Sequence, residues 1–262
     1  MTDSCAVQKL YEICKEILSP EEVVPPPSDI ARLKAVLDAI KPIDVGLQGN
    51  ERVSSGNEEE RLFYSNLGAH KRQRVSRGTA LIASPQSSHP PPVTYVHIHE
   101  CDSFSMGIFC LSKSAVIPLH DHPGMTVFSK VLYGSMHVAA YDWDDQHHHT
   151  QHFCGMRLAK LKVDCIYNAS SGSSVLYPTS AGNIHCFTAL TSCAVLDVIS
   201  PPYADGDPSY YALHPYLDLS RTWEELIDYK ECQDFVWLEE IEKPHNFKVE
   251  GQIYTGPIIN VI

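Results

Sequence analysis

The chain of 262 residues contains 20 lysines and arginines and 32 aspartates and glutamates, which gives a formal net charge of -12. This length allows one large domain with a sizeable core, and the negative charge repels nucleic acid, so we expect no direct nucleic-acid partner. The nine cysteines form no CxxC pair, which indicates neither a disulfide framework nor a thiolate zinc site.

The first residues do not have the pattern of a secretory signal. Met1 to Leu18 carries charged side chains at helical intervals, and no later segment is apolar for long enough to span a bilayer. We therefore expect a protein of the nucleus or the cytoplasm, without a membrane partner.

Residues 1–48 predict two short helices that pack on the domain that follows. Ser19-Pro20 would end the first helix, and Ser28 or Asp29 would cap the second, which ends before Pro42. Apolar side chains recur with the helical period at Val7, Leu10, Tyr11, Cys14, Ile17 and Leu18, and again at Ile30, Leu33, Val36, Leu37 and Ile40.

Residues 49–92 are polar and rich in charge, serine and proline, which is typical of a partly flexible connection. Their basic cluster, Lys71-Arg72-Gln73-Arg74, fits either a nuclear import signal or a charged flexible segment.

Residues 93–262 carry short β-branched and aromatic runs separated by Gly, Pro, Asp and Ser. Closely spaced strands without helical periods between them indicate a mainly β domain, a barrel or jelly roll. One helix candidate, Thr222 to Tyr229, lies in the tail. The expected strands are Thr94 to Ile98, Met106 to Leu111, Thr126 to Tyr133, Met136 to Tyr141, Arg157 to Val163, Ser174 to Tyr177, Ala194 to Ile199 and Phe235 to Ile241.

Histidine occurs 14 times, so candidate metal ligands have to be selected among many. His120-Asp121-His122 places two imidazoles two residues apart, and on an extended strand such residues point to the same face. Because His97 and His99 have the same spacing in another expected strand, spacing alone does not decide between the pairs.

The residues that follow separate the two pairs. His120, His122 and Gly134 match the first cupin motif, and no comparable series follows His97. The second motif is matched, with a longer spacing before its last glycine, by Gly172, Pro178, Gly182 and His185. We therefore expect a cupin (jelly-roll) β-barrel in which His120, His122 and His185 bind a metal ion.

The first motif lacks its acidic ligand, because Thr126 or Val127 stands where cupins place a carboxylate. The expected ligands are three neutral imidazoles, whereas iron(II) oxygenases usually combine two histidines with one carboxylate. The uncompensated metal charge would favour an anionic substrate group such as a thiolate.

Longer segments resemble the plant cysteine oxidases, relatives of the animal cysteamine dioxygenase. The resemblance covers most of the chain from Val93 and is carried by Val93-Thr94-Tyr95, His120-Asp121-His122-Pro123-Gly124-Met125 and Asp197-Val198-Ile199-Ser200-Pro201-Pro202-Tyr203. It implies an iron(II) enzyme, expected to be a monomer, that adds both atoms of O2 to the sulfur of an N-terminal cysteine in target proteins.

In that family the sulfinic acid product marks regulatory proteins, notably ethylene-response transcription factors, for the arginine branch of the N-degron pathway. The resemblance therefore implies an oxygen sensor that acts on protein substrates.

Asp197 and Tyr203 are candidates for substrate contacts. Asp197 lies in an apolar run, where a carboxylate is costly unless it meets a cation or donors, so it could accept hydrogen bonds from a substrate α-amino group or hold a buried structural hydrogen bond. Tyr203 follows Pro201-Pro202 and could hydrogen-bond to bound oxygen or substrate, or could be an aromatic residue of the barrel rim. The resemblance counts both among the active-site residues.

Other candidates have simpler interpretations. We expect His97 and His99 to be surface or partly buried strand residues, and His147-His148-His149 to lie in a solvated hairpin loop. Cys186 would be a small apolar residue on the strand face opposite His185.

Two alternative functions remain open. A small-thiol dioxygenase acting on free cysteine or cysteamine would, for cysteine, need an arginine near the metal, and Arg157 is the main candidate. A non-catalytic metal-binding cupin that binds a partner is the alternative from a different class.

Overall fold

The computed structural model describes residues 5–19, 24–47, 93–145, 152–153, 155–203, 208–215 and 234–261. The predicted connection of residues 49–92 with its basic cluster, the triple histidine at 147–149 and the predicted helix at 222–229 lie outside these ranges. The predicted division into residues 1–48, 49–92 and 93–262 stays a prediction.

Two α-helices precede the strands, as predicted: α1 spans Ala6–Ile17, α2 spans Pro27–Ala39, and a 3-10 helix follows at Pro42–Val45. The prediction that Ser28 or Asp29 caps α2 is wrong, because the helix begins at Pro27 and has no side-chain cap. Proline suits this position since its φ is preset and its missing N–H would have no helical acceptor there.

The eight predicted strands are present, and β3, β6, β9, β11 and β13 are additional to them. Strand bounds in the described residues are β1 (Val93–Glu100), β2 (Ser105–Leu111), β3 (Val116–His120), β4 (Thr126–Tyr133), β5 (Ser135–Trp143), β6 (His152–Phe153), β7 (Met156–Asn168), β8 (Ser174–Leu176), β9 (Ile184–Ala189), β10 (Cys193–Ser200), β11 (Tyr210–Pro215), β12 (Phe235–Ile241) and β13 (Val249–Gln252).

The strands form two sheets, with the orders β13-β1-β2-β10-β4-β8 and β12-β11-β3-β9-β5-β7-β6. β12 also pairs with β7, which closes six strands of the second sheet into a ring. The sheets face each other across a buried cluster to which both contribute, including Leu111 and Val195 from the first and Val138 and Phe187 from the second. The predicted mainly β cupin barrel with short N-terminal helices is confirmed.

The helices cover the outer face of the first sheet. Leu10 of α1 and Leu33 and Leu37 of α2 are fully buried there against Met106 and Leu196. Burying one such leucine contributes about 1.5–3 kcal/mol, so this layer belongs to the stable core. No helix in the described part of the chain is long and apolar enough to cross a membrane.

Candidate metal centre

Three buried histidines converge between the sheets. The nearest ring nitrogens of His120, His122 and His185 all lie within 4.8 Å of one another. Their ring centroids are 4.6 to 5.1 Å apart, and each side chain is at most 8% exposed. Among the described residues this is the group of His, Cys, Asp and Glu side chains whose spacing could hold a metal ion.

Each histidine reaches the group from a different backbone setting. His120 is the last residue of β3 and lies directly opposite His185 of β9 in the antiparallel ladder. His122 lies two residues beyond the end of β3, and its ring still meets that of His120, as expected for the two histidines of the His-Asp-His run. Another interaction has to orient His122.

Asn183 supplies that interaction. Its Oδ1 accepts a hydrogen bond from the backbone N–H of His122 at 2.9 Å, and its Nδ2 donates to the His122 carbonyl at 2.9 Å and to the Tyr177 carbonyl at 2.8 Å. The Asn183 side chain is 6% exposed. The sequence reasoning missed Asn183, although an amide two residues before the third histidine of the motif was a visible signal.

The turn before β9 is anchored in the same way. The buried carboxylate of Asp142 on β5 accepts hydrogen bonds from the N–H groups of Gly182 at 2.8 Å and Asn183 at 3.1 Å. Gly182 has a φ of +86°, and a Cβ there would lie 2.6 Å from the Cβ of Ala140. Glycine is therefore required for the turn that delivers Asn183 and His185.

Hydrogen bonds fix the tautomers of two rings. Nδ1 of His120 donates to the Pro118 carbonyl at 2.8 Å. The Tyr203 hydroxyl donates to the Asp121 carbonyl at 3.1 Å and accepts from Nδ1 of His122 at 2.8 Å. In both rings Nε2 then carries a free lone pair, which is the form that binds a metal.

Burial keeps the three rings neutral. It lowers the pKa of His120, and it lowers the pKa values of His122 and His185 well below the usual range, with the neighbouring histidines adding to the effect. Nδ1 of His185 is also buried without a hydrogen-bond partner among the described groups. Three neutral, desolvated imidazoles with free lone pairs are a donor set that fits a divalent transition metal.

Asp121, between two of the histidines, does not belong to this group. Its carboxylate accepts hydrogen bonds from the Ser209 N–H at 3.0 Å and from the Tyr211 hydroxyl at 2.8 Å. Thr126 and Val127 are both buried on β4, where the first cupin motif would place an acidic ligand. The three-imidazole composition expected from the sequence matches the group that the fold assembles.

A cavity of about 330 Å³ opens beside the histidines. The ring sheet contributes the histidines and Phe187, and the helix-covered sheet contributes alternate residues of its inner face, including Gly107, Phe109 and Asp197. The cavity therefore has one wall that can bind a metal and an opposite wall that can contact a substrate.

Asp197 lies on the substrate wall with unused hydrogen-bonding capacity. Its side chain is 6% exposed, Ser129 gives it a hydrogen bond, and its Oδ1 has no partner among the described groups. Burial raises its pKa to about 6. A buried oxygen of this kind indicates a ligand donor in the functional state.

Tyr203 lines the cavity, but the partners of its hydroxyl are Asp121 and His122. Its contact to oxygen or substrate therefore stays a prediction, whereas its hydrogen bond to the ring of His122 is a finding that the sequence reasoning missed.

The other candidates lie outside the cavity lining, which for Arg157 removes the arginine that the free-cysteine alternative would need. His97 is exposed on β1, and His99 is half-buried against Tyr11, with ring centroids 4.9 Å apart. Arg157 pairs with Asp145 at 2.8 Å and stacks over Trp143, so it does not line the cavity. Cys186 packs in the cluster behind His185, where burial raises its pKa to about 11.

The chain matches the PCO_ADO family model over residues 36–259, which include both sheets and all three histidines. It is 41% identical over 261 residues to plant cysteine oxidase 2 of Arabidopsis thaliana, covering 97% of this chain and 83% of that protein. Plant cysteine oxidase 1 of the same species is 40% identical over 262 residues, covering 96% and 80%. The 2-aminoethanethiol dioxygenase of Homo sapiens is 34% identical over 188 residues, covering 64% and 68%.

Proposed function

The chain belongs to the PCO_ADO family of thiol dioxygenases, and from that premise we propose that it oxidises the N-terminal cysteine of target proteins to cysteine sulfinic acid with O2. The observation that carries the proposal is the buried group of three neutral histidines that faces Asp197 across one cavity.

We propose iron(II) as the metal, with His120, His122 and His185 as its ligands. A bound iron(II) would supply the redox chemistry through which both atoms of O2 reach the substrate sulfur. The residues of this chain supply orientation: Asn183 holds the backbone of His122, and Tyr203 holds its ring. Phe109 and Phe187 contribute apolar wall that limits water in the cavity.

The charges of the cavity favour a peptide N-terminus over free cysteine. The described lining contains two carboxylates, Glu100 and Asp197, one lysine, Lys243, and no arginine. A substrate ammonium group is attracted to the carboxylates, whereas the α-carboxylate of free cysteine is repelled. Because a peptide carries an amide at that position, it avoids the repulsion.

Cysteamine also lacks a carboxylate, so the same wall supports a small-thiol dioxygenase as the second candidate function. The family match to a 2-aminoethanethiol dioxygenase supports it as well.

We further propose that the enzyme acts as a monomeric oxygen sensor of the nucleus or the cytoplasm that feeds the arginine N-degron pathway. Ethylene-response transcription factors with an N-terminal cysteine are the proposed substrates. The similarity to plant cysteine oxidases supports this role.

Mass spectrometry of a Cys-initiated peptide incubated with iron-loaded enzyme in air tests the proposal. We expect a gain of two oxygen atoms on the first residue of the peptide. The rate of oxidation should be lower with cysteamine and lowest with free cysteine. His185→Ala, checked for folding by circular dichroism, should form no product. Equal oxygen consumption by this variant and the wild type would refute the proposal.

A further inference from the structure

Tyr95 presents a phenol to the cavity, and its hydroxyl bonds to none of the residues that the structure describes. The residue lies on β1, lines the cavity, and packs its ring against Phe109 with centroids 4.9 Å apart. Its hydroxyl makes no hydrogen bond with any described group. A phenol that is held in place in a cavity and has no partner in the described part of the chain is available to a ligand.

Gly107 creates the space that this phenol occupies. A Cβ at Gly107 would lie 2.2 Å from the hydroxyl oxygen of Tyr95, so the phenol lies over the backbone of β2 where a side chain would otherwise stand. Gly107 is the ladder partner of Asp197 on the neighbouring strand. The phenol is thereby directed from β1 across β2 towards the Asp197 carboxylate.

The surroundings of this phenol are negative. Burial raises the pKa of Tyr95 to about 12, and the charges of Asp197 and Glu100 add to the rise, so the hydroxyl stays neutral. Asp197 contributes the unpartnered Oδ1, and no hydrogen bond joins it to Tyr95. The Tyr95 hydroxyl oxygen and Asp197 Oδ1 thus face the same space without a hydrogen bond between them. Such a pair of acceptors suits a hydrogen-bond donor that carries positive charge.

We propose that Tyr95 Oη and Asp197 Oδ1 together bind the α-ammonium group of the substrate, which makes Tyr95 a substrate-binding residue. This inference rests on the proposed function, because it assigns a place to the amine of the N-terminal cysteine. The thiol then lies on the histidine side of the cavity. Thiolate and O2 do not suit the Tyr95 side, since neither is a cation and a thiolate is repelled by both carboxylates.

Tyr95→Phe removes the hydroxyl and keeps the ring in contact with Phe109. The experiment compares a Cys-initiated peptide with the same peptide carrying 3-mercaptopropionyl in place of cysteine, which lacks the ammonium group. For the Cys peptide we expect KM to rise roughly 10- to 100-fold, because the variant loses one hydrogen bond to a charged group. For the des-amino peptide we expect wild type and variant to be equal.

A binding measurement separates this role from a change in turnover. A Ser-initiated peptide has a hydroxyl in place of the thiol and is not a substrate for sulfur oxidation. It should bind the iron-loaded Tyr95→Phe variant roughly 10- to 100-fold more weakly than the wild type. The N-acetylated form of that peptide should bind both proteins equally. Tyr133→Phe is the matched control, because Tyr133 is a half-buried β4 tyrosine outside the cavity lining, and its constants should equal those of the wild type.

Two outcomes would overturn the inference. One is an unchanged KM for the Cys peptide in Tyr95→Phe, and the other is an equal loss for the ammonium-bearing and des-amino peptides. If the wild type leaves the Cys peptide unoxidised, the proposed function fails, and the Ser-peptide measurement still decides whether Tyr95 binds an ammonium group.

Discussion

At the scale of single residues, the carboxamide of Asn183 carries three buried hydrogen bonds, two of them to the backbone of His122. Asn183→Asp keeps one acceptor and loses both donors, which leaves the carbonyls of His122 and Tyr177 unpaired. We expect a loss of at least about 2 kcal/mol in unfolding free energy and a roughly 10- to 100-fold weaker iron(II) affinity. Urea unfolding and anaerobic metal titration measure the two effects.

Asn168→Asp is the matched control for this change. Asn168 is the half-buried last residue of β7, where its Oδ1 accepts a hydrogen bond from the Ser170 N–H of the following exposed turn at 2.9 Å, and aspartate retains that acceptor. The stability and the metal affinity of the Asn168→Asp protein should stay at the wild-type values. An Asn183→Asp protein that binds iron as tightly as the control would show that Asn183 does not position His122.

Asp197 makes the stability of the metal-free protein depend on pH. Burial raises its pKa from 3.8 to about 6, so the folded state holds a proton that the unfolded state releases. The stability contributed by the protonated form is therefore present at low pH and is lost as pH rises from about 4 to above about 6, a change of about 3 kcal/mol. The three buried histidines change stability in the opposite direction over this range, so the Asp197 contribution is the difference between the wild-type and Asp197→Asn curves in urea unfolding.

Asp102→Asn, at an exposed position, is the control for charge removal, and its stability curve should run parallel to that of the wild type. Parallel stability curves for the wild type and Asp197→Asn would contradict the burial of an ionisable Asp197.

The histidine ligands could be predicted from the sequence because the motif spacing and the chemistry of imidazole both point to them. Asn183 and Tyr95 could not, since their roles depend on which groups approach across the barrel. The amide of Asn183 meets His122, 61 positions earlier in the chain. Tyr95 matters because its neighbour in space is a glycine.

At the scale of elements, the turn before β9 depends on Gly182. Gly182→Ala places a side chain at a positive φ and 2.6 Å from Ala140, so conformational strain and a steric clash add. We expect a loss of about 2–5 kcal/mol in unfolding free energy. Gly155→Ala separates the two causes, because Gly155 has a φ of +83° and nothing within 4 Å of its Cβ position.

The Gly155→Ala control should lose only about 1–2 kcal/mol in unfolding free energy. Equal losses in thermal or urea unfolding for the two variants would show that the contact with Ala140 does not constrain the turn.

Burial explains why β10 could be predicted and β13 could not. Every residue of β10 is buried, and its apolar run was visible in the sequence. All four residues of β13 are exposed, so only backbone pairing with β1 defines that strand. The end of β3 at His120 also had no signal of its own.

At the scale of the whole molecule, metal binding should stabilise the fold, because the three histidines meet only when β3 and β9 have paired. At a free iron(II) concentration 100 times the Kd, we expect about 2.7 kcal/mol of added stability. Anaerobic urea unfolding with and without iron(II) measures it. His185→Ala should lose the gain, and His97→Ala, at an exposed β1 position, should retain it.

The mainly β class was readable from the strand texture, but the pairing of the strands was not. β12 pairs with both β11 and β7 in the second sheet. β13, near the end of the described chain, pairs with β1 and forms an edge of the first sheet. These contacts join distant parts of the chain, and no local pattern specifies them. The cavity between the sheets follows from this pairing and could not be drawn from the sequence.

The two walls of the cavity belong to different sheets, with the metal-binding histidines on the ring sheet and Tyr95, Gly107 and Asp197 on the helix-covered sheet. Mutational drift on one sheet can consequently alter amine preference while the catalytic chemistry is inherited intact. An enzyme engineer gains the same freedom, because randomising Tyr95, Gly107 and Asp197 would give a library that varies in selectivity and leaves the three histidines unchanged.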